Sequence, residues 1–242
     1  MIELFFFPTP NGHKILICLE ELKMDYRVKV VDITQGDQFR PEFIEVSPNN
    51  RIPAIVDHAP ARGGAPLSLF ESGAILLHLA EKAGQLMPED PARRAAALSW
   101  LFWQVAGLGP NAGNSNHFGY YAKEKHPYPI KRFWNETNRL YGVLNKRLAD
   151  RAFVADEYSI ADIATYPWIR GHETQQQNLD DFPHVKRWFL EIRERPAVVR
   201  AYEAGKVMKH PDSLSDTARQ HLHFHTSQTV DAAIRNAEER NP

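Results

Sequence analysis

Residues 2–33 read IELFFFPTPNGHKILICLEELKMDYRVKVVDI, and this stretch determines the fold class. A continuous apolar run of strand length, residues 2–7, ends at Pro8, as is typical of a buried parallel strand. Apolar residues then recur at helical spacing over residues 13–22. Residues 26–33 alternate and are rich in β-branched side chains, which indicates a second strand. Together these elements predict a right-handed βαβ unit with parallel strands.

Two further strands and a helix follow. Residues 53–56 and 66–70 predict short strands joined by a hairpin loop. Residues 71–82 predict a helix with Ser72 as its capping residue and Gly84 just past its end.

The strand pattern disappears beyond residues 85–91, a polar, proline-containing break. Helical patterns follow at residues 93–108, 130–148, 160–176 and 185–195. Ser159 lies three residues before Asp162, a variant of the capping box at a helix start. We therefore predict an α/β domain over residues 1–86, an all-α domain over residues 92–208 and a polar tail over residues 209–242. The tail is expected either to be partly disordered or to wrap around a neighbouring chain.

The composition is that of an ordinary globular protein and excludes several classes. With 43% hydrophobic and 24% charged residues, the 242-residue chain has apolar mass for one large or two modest domains. A formal charge of −1 argues against a nucleic-acid-binding protein, which carries a basic surplus. No apolar run approaches the roughly 18 residues that span a bilayer, and the first residues lack the basic region of a signal peptide. We therefore expect a cytoplasmic protein without nucleic-acid or membrane partners.

The single cysteine, Cys18, excludes an internal disulfide framework and a CxxC redox pair. It lies on the apolar side of the first predicted helix, which favours a position in the core or at an interface. His221, His223 and His225 are spaced two residues apart, which suits neither a helix face nor a usual zinc site. We therefore expect no metal site.

Two junctions carry groups that suit a peptide-like ligand. A cis bond between Ile52 and Pro53 would turn the Ile52 backbone towards an extended ligand. A trans bond at the head of a strand is the commoner arrangement, since only about 5–6% of X–Pro bonds are cis. Glu71 and Ser72 open a helix whose free N–H groups attract a carboxylate, although a plain capping motif explains the same residues.

Two loops offer further hydrogen-bonding groups. The turn after the first strand contains the Thr9 hydroxyl and the Asn11 amide, which are neither strong bases nor nucleophiles. Gln38 and Arg40, after the second strand, suit another end of a ligand, although an ordinary exposed loop explains them equally well.

Five segments together resemble one family. They read PTPNGHK (residues 8–14), GDQFRPEF (36–43), SPNNRIPAIVDH (47–58), LSLFESGAILLHLAEK (67–82) and LFWQVAGLGP (101–110). On these motifs the chain is similar to the cytosolic glutathione transferases up to about residue 205, and more narrowly to the bacterial nu class of disulfide-bond reductases. The resemblance implies the glutathione transferase fold, an α/β thioredoxin-like N-terminal domain followed by an all-α C-terminal domain.

The resemblance also implies glutathione as the ligand, bound as a substrate and without a metal. Ile52 is expected to pair with its cysteinyl backbone beside a cis Pro53. Glu71 and Ser72 are expected to hold its γ-glutamyl end. Gln38 is expected to hold its other carboxylate or a second glutathione.

The remaining implied residues complete the site. Thr9 and Asn11 are expected to face the sulfur as the catalytic pair, and Arg40 lies in the loop that holds the far end of the ligand. Arg132 matches a nu-class arginine that contacts glutathione, either within one subunit or across a homodimer.

The nu class accommodates two glutathiones, or one glutathione disulfide, side by side. Ligands then supply both sulfurs of a thiol–disulfide exchange, so the protein needs no cysteine. We therefore predict a glutathione-dependent disulfide-bond oxidoreductase. Two alternatives stay open: a conventional transferase or peroxidase acting on small electrophiles or organic hydroperoxides, and a glutathione-binding homologue without catalysis.

Overall fold

The computed structural model describes residues 1–61, 63–207 and 215–239. Its sheet contains four strands in the order β2-β1-β3-β4. They are β1 (Ile2–Phe6), β2 (Tyr26–Val30), β3 (Ala54–Asp57) and β4 (Leu67–Phe70). β1 and β2 are parallel, whereas β3 is antiparallel to both β1 and β4. The predicted parallel βαβ unit is therefore confirmed.

β1 lies inside the sheet and is buried on both faces. The helices that cover these faces are α1 (Pro10–Leu22), α2 (Pro41–Ile44) and α3 (Ser72–Ala83). Leu4 and Phe6 are fully buried in the core that also contains residues of α1 and α3. Phe5 points to the opposite face, where it packs with Phe43 of α2. This two-sided burial explains why the strand reads as a continuous apolar run.

α1 begins at Pro10, earlier than the apolar pattern predicts. Thr9 is its N-cap residue, and the Thr9 hydroxyl accepts the N–H of Gly12 at 3.2 Å. A Cβ at Gly12 would lie 2.5 Å from the carbonyl oxygen of Phe7, so glycine is needed for the helix to start this close to β1. The resulting tight turn brings the N-terminus of α1 close to the C-terminal end of β1.

The second half of the described chain is helical, as predicted. Its helices are α4 (Pro91–Trp103), α5 (Gly109–Asn116), α6 (Pro127–Arg147), α7 (Ile160–Ile169), α8 (Pro183–Arg193) and α9 (Pro196–Ala204). A π-helical turn, Gln104–Leu108, joins α4 to α5. The predicted C-terminal end of the helix over residues 160–176 is wrong. α7 stops at Ile169, and the side-chain amide of Gln175 donates to the carbonyl of Trp168 at 2.7 Å, satisfying an acceptor that a longer helix would have used.

One apolar core joins the two domains because α1 packs against α3 on one side and against α7 and α9 on another. Cys18 lies in this core with an exposed fraction of 0%, which confirms the expected core position. At the edge of the same contact, Arg195 forms an ion pair with Glu21 at 2.6 Å. None of the helices in the described ranges is long and apolar enough to cross a membrane.

The C-terminal residues form two helices that pack against the first domain. They are α10 (Asp216–His223) and α11 (Ser227–Glu239), and α11 contacts α2 and the turn Asp37–Phe39. Within the tail predicted over residues 209–242, residues 209–214 and 240–242 lie outside the described residues.

The predicted capping box at the start of α7 is present. Asp162 accepts the Ser159 N–H at 3.1 Å, and the Ser159 hydroxyl accepts the Ala161 N–H at 3.3 Å. The other carboxylate oxygen of Asp162 accepts the Val154 N–H and the Trp188 indole N–H, each at 2.9 Å. This buried carboxylate therefore ties α7 to α8 and to the preceding loop.

Replacing Asp162 with alanine should lower the free energy of unfolding by about 3 kcal/mol, because buried N–H donors lose their acceptor. Urea unfolding measures the effect. Asp180→Ala is the control, since Asp180 forms an exposed ion pair with Lys186 and its loss should cost less than about 1 kcal/mol. Equal losses in the two variants would contradict the structural role of Asp162.

Candidate functional site

Three adjoining cavities form a cleft; two of them lie between the two domains, and the smallest is lined by the first domain alone. Their volumes are about 470, 160 and 230 Å³, and Asn11 lines all three. The largest is lined, among others, by Thr9, Gln38 and Ile52 from the first domain and by His117, Tyr121 and Trp168 from the second. The turn after β1, which carries the predicted catalytic residues Thr9 and Asn11, therefore lies where the three cavities meet.

Thr9 and Asn11 are held in fixed orientations. The Thr9 hydroxyl oxygen accepts a hydrogen bond from Gly12, which leaves its hydrogen available for donation. The Asn11 Oδ1 accepts the indole N–H of Trp168 at 3.0 Å, so the Asn11 Nδ2 is the group left to face a ligand. Both side chains thus present donors to the cleft.

The Ile52–Pro53 peptide bond is cis, as the resemblance implies. Ile52 lines the two cavities of 470 and 160 Å³, and β3 begins at Ala54 immediately beyond. Pro53 also lines the smaller of these cavities. The structure therefore places both residues in the cleft.

Glu71 and Ser72 lie at the start of α3 and line the cavities of 160 and 230 Å³. The prediction that Ser72 caps this helix is wrong. The N-cap residue is Glu71, with φ of 70° and no capping hydrogen bond from its side chain, and the Ser72 hydroxyl instead accepts a hydrogen bond from Lys14 at 3.2 Å. The free N–H groups at the start of α3 are therefore not satisfied by a side-chain cap.

Lys14 is a buried residue that sequence reasoning missed. Its side chain is 1% exposed, and its Nζ donates to Gln104 Oε1 at 2.6 Å as well as to Ser72. Burial lowers the pKa of the Lys14 amine to about 7, and the negative charge of Glu71 opposes this shift. The Gln104 Nε2 is buried without a partner among the described residues, so the floor of the 230 Å³ cavity offers donors for an anion.

Gln38 lines the cleft, whereas Arg40 does not. The Gln38 amide N–H groups donate to the Ile33 carbonyl at 3.3 Å and to the His221 carbonyl at 2.9 Å. Binding of a ligand carboxylate by Gln38 therefore requires displacement of one of these bonds. Arg40 forms an ion pair with Asp37 at 2.7 Å and lines a separate cavity of about 370 Å³.

Arg132 is exposed on α6 and, in the parts of the chain that the structure describes, lines none of these four cavities. The described ranges also contain no group of three or more His, Cys, Asp or Glu residues that could hold a metal ion. The role of Arg132 stays a prediction.

Two family models match the chain. The glutathione S-transferase N-terminal domain matches residues 2–81, and the C-terminal domain matches residues 122–196. The disulfide-bond oxidoreductase YfcG of Escherichia coli strain K12 is 56% identical over 83% of this chain and 94% of its own length. The chain belongs to the glutathione S-transferase family. The disulfide-bond oxidoreductase YghU of the same strain is 44% identical to this glutathione transferase, over 82% of the chain and 73% of YghU.

Solved structures of two other glutathione transferases are similar to this one. The Pseudomonas putida protein, with one glutathione disulfide bound per subunit, has a TM-score of 0.80 and 44% identity over 83% of this chain and 90% of its own. The Burkholderia graminis protein, with two glutathione molecules bound per subunit, has a TM-score of 0.81 and 42% identity over 86% of this chain and 89% of its own.

The Lys14 amine gives this glutathione transferase a distinct dependence of stability on pH. The folded pKa of about 7 lies below the ordinary lysine pKa of 10.5, so between these values the unfolded chain binds more protons. Stability of the ligand-free protein should therefore rise with pH relative to Lys14→Met, by about 1 kcal/mol per pH unit. Urea unfolding near neutral and at alkaline pH measures this difference.

Lys131→Met, at an exposed position of α6, is the matched control and should follow the parent at every pH. A Lys14→Met variant whose stability runs parallel to the parent would show that the amine is not held in a desolvated site.

Proposed function

We propose that this protein is a glutathione-dependent disulfide-bond oxidoreductase in which ligands supply both reacting sulfurs. The observation that carries the proposal is the position of Cys18, the chain's only cysteine, which is fully buried in the core. Burial also raises the pKa of its thiol, which opposes formation of a reactive thiolate. Similarity to two relatives named disulfide-bond oxidoreductases supports the same activity.

The cleft suits an extended glutathione. In the proposed pose, the Ile52 backbone pairs with the cysteinyl residue and the Glu71 carboxylate binds the ammonium group. The Ser72 hydroxyl and the N-terminus of α3 bind the γ-glutamyl carboxylate. Lys14 lies beneath Ser72 and adds positive charge when it is protonated. Gln38 lies in the largest cavity, where we place the other carboxylate or a second glutathione.

The reaction is two successive thiol–disulfide exchanges. One glutathione thiolate attacks a sulfur of the substrate disulfide, the S–S bond breaks, and the leaving thiolate takes a proton. A second glutathione thiolate attacks the glutathione sulfur of the mixed disulfide, which releases the second thiol and glutathione disulfide. Two glutathiones are oxidised and one disulfide is reduced. The protein contributes by holding the sulfurs close together.

Thr9 and Asn11 stabilise the thiolate in this proposal. The Thr9 hydroxyl and the Asn11 Nδ2 are the free donors at the centre of the cleft, and the N-terminus of α1 adds a positive partial charge. A free thiol with a pKa near 8.5 is only a few per cent ionised at neutral pH, so such donors increase the reactive fraction.

The proposal places the enzyme in the nu class, as a cytoplasmic homodimer. Cytoplasmic glutathione keeps thiols reduced and supplies the reductant. Arg132 is exposed and away from the cleft of its own chain, so its contact with glutathione would be made across the homodimer. The position of Arg40 beside Asp37 suits a peripheral contact with the far end of a ligand.

Thr9→Ala and Asn11→Ala should each lower the turnover of disulfide reduction by about 10- to 100-fold, the effect of losing one hydrogen bond to a charged sulfur. Glutathione affinity should fall much less, because the ligand's backbone and end groups bind elsewhere. The measurements are steady-state kinetics with glutathione and bis(2-hydroxyethyl) disulfide, and calorimetry for binding. Asn111→Ala, on α5, is the control amide variant and should keep parental turnover. Unchanged turnover in both site variants would refute the assignment.

Cys18→Ala should retain parental turnover, since the buried thiol takes no part in the exchange. Its stability should fall by about 1 kcal/mol through loss of buried volume, so the assay is run well below the unfolding temperature. Loss of turnover in a folded variant would show that a protein thiol reacts.

The alternative functions predict different outcomes of one assay on the parent protein. Glutathione is supplied with bis(2-hydroxyethyl) disulfide in one reaction and with a chlorinated aromatic electrophile in another. Turnover of the disulfide alone supports the proposal, whereas turnover of the electrophile alone assigns a conventional transferase. Glutathione binding without either turnover assigns a binding protein.

A further inference from the structure

The side-chain amide of Asn11 is held by a residue of the second domain. The indole N–H of Trp168, on α7, donates to Asn11 Oδ1 at 3.0 Å across a separation of 157 residues. Within the described residues, this indole is the hydrogen-bond partner of the Asn11 side chain. Asn11 and Trp168 both line the cavities of 470 and 230 Å³, so the bond lies where a ligand would meet the protein.

An asparagine side chain does not fix its own orientation. Its terminal torsion is broad and roughly two-fold, so the amide oxygen and nitrogen can exchange places. With Nδ2 towards the cleft, the amide donates a hydrogen bond, which favours a thiolate and lowers the pKa of the thiol. With Oδ1 towards the cleft, it presents lone pairs, which disfavour a thiolate. The orientation of the Asn11 amide therefore decides whether it raises or lowers the pKa of a nearby thiol.

The Trp168 indole selects one of these two orientations because it is a donor and has no acceptor. It pairs with Oδ1 and cannot pair with Nδ2, so the bond turns Nδ2 away from Trp168. A histidine or a glutamine in its place would carry both a donor and an acceptor, and would allow either orientation of the amide.

The ring of Trp168 is itself held by close packing. A Cβ at Gly113 would lie 3.3 Å from Trp168 Cη2, and a Cβ at Gly109 would lie 3.5 Å from Trp168 Cε2, so two glycines of α5 let the ring approach closely. The Trp168 carbonyl accepts the side-chain amide N–H of Gln175 at 2.7 Å. The indole dipole is thus oriented before a ligand arrives, which is the condition for stabilising a developing charge.

We propose that Trp168 is a positioning residue, which fixes the Asn11 amide so that Nδ2 is directed at the glutathione sulfur. The inference rests on the proposed function, in which the sulfur lies beside Thr9 and Asn11. Trp168 acts through Asn11 and needs no contact with the sulfur. The second domain then controls the acidity of a thiol that the first domain binds.

Trp168→Phe keeps an aromatic ring and removes the N–H. In this variant the amide is free to turn Oδ1 towards the sulfur, so the pKa of the bound glutathione thiol should rise by about one pH unit. Titration of the ultraviolet absorbance of the thiolate, with glutathione bound to the full-length protein, measures this pKa without any turnover.

The kinetics of the same variant provide a second readout. At neutral pH, kcat for bis(2-hydroxyethyl) disulfide should fall about 10-fold, in proportion to the thiolate fraction, and KM for glutathione should stay near the parental value. Above the raised pKa, kcat should return towards the parental value. A distorted cleft would not recover at alkaline pH.

Trp134→Phe is the matched control. The indole N–H of Trp134, on α6, donates to the Gln176 carbonyl at 3.0 Å, and Trp134 is not among the described residues that line the four cavities. The control should keep the parental thiol pKa. The titratable groups bordering the cavities that Asn11 lines are the same in all three proteins: Lys14, Arg51, Glu71, His117, Tyr121 and His223.

Two variants of Asn11 test whether Trp168 acts through this residue. Trp168→Phe should add nothing to the thiol pKa of Asn11→Ala, because the group that it orients is absent. Asn11→Asp keeps an acceptor for the indole and replaces the Nδ2 donor with an oxygen, so it should raise the thiol pKa at least as far as Trp168→Phe does. This second variant decides the matter if Trp168→Phe does not fold.

The outcomes separate this inference from the proposed function. A parental thiol pKa in folded Trp168→Phe, an equal rise in Trp134→Phe, or an additive effect with Asn11→Ala overturns the inference alone. If Trp168→Phe does not fold, a parental thiol pKa in Asn11→Asp overturns it. A parent that lowers the thiol pKa but reduces no disulfide refutes the proposed function, and the variants still decide the role of Trp168. A parent that binds glutathione without lowering its thiol pKa refutes both the inference and the thiolate-stabilising role of Asn11.

Discussion

The hydrogen bonds of the buried Lys14 amine join the three elements that form the floor of the cleft. From α1, the amine reaches Ser72 at the start of α3 and Gln104 at the end of α4. The Lys14 side chain is 1% exposed, so its removal would leave the Ser72 hydroxyl and the Gln104 amide oxygen without this donor. The Lys14 amine therefore links two helices of the first domain to the π-helical turn of the second domain.

α1 has a structural role and, in the proposed function, also a chemical one, because its sides and its first turn contact different parts of the molecule. Its sides pack against α3, α7 and α9, which makes the helix part of both domains. Its first turn carries Thr9 and Asn11 into the cleft, and the Trp168 indole of α7 orients the Asn11 amide. A group at the cleft's centre is thus positioned by the same packing that stabilises the interface between domains.

Local patterns predicted most of the fold, and long-range contacts account for what they missed. The apolar run of β1 and the capping box at Ser159 depend on neighbours in sequence, so both could be read directly. The sequence motifs also predicted one shared site for Thr9, Asn11, Ile52, Glu71 and Ser72, and all five residues line the cleft. The hydrogen-bond partners of Asn11 and Gln38 could not be predicted, because they are distant in the sequence. Trp168 lies 157 residues from Asn11, and His221 lies 183 residues from Gln38. The burial of Lys14 could have been predicted from its position, because it lies four residues before Cys18 on the same apolar face of the helix.

The near-neutral pKa of the Lys14 amine couples the binding of a proton to the binding of an anion at the floor of the cleft. In the proposed pose, an anion bound at Ser72 would stabilise the ammonium form of Lys14, which the negative charge of Glu71 already favours. By thermodynamic linkage, arrival of the anion then draws a proton from solvent, and its departure returns that proton. The heat of anion binding should therefore include the ionisation heat of the buffer that supplies this proton.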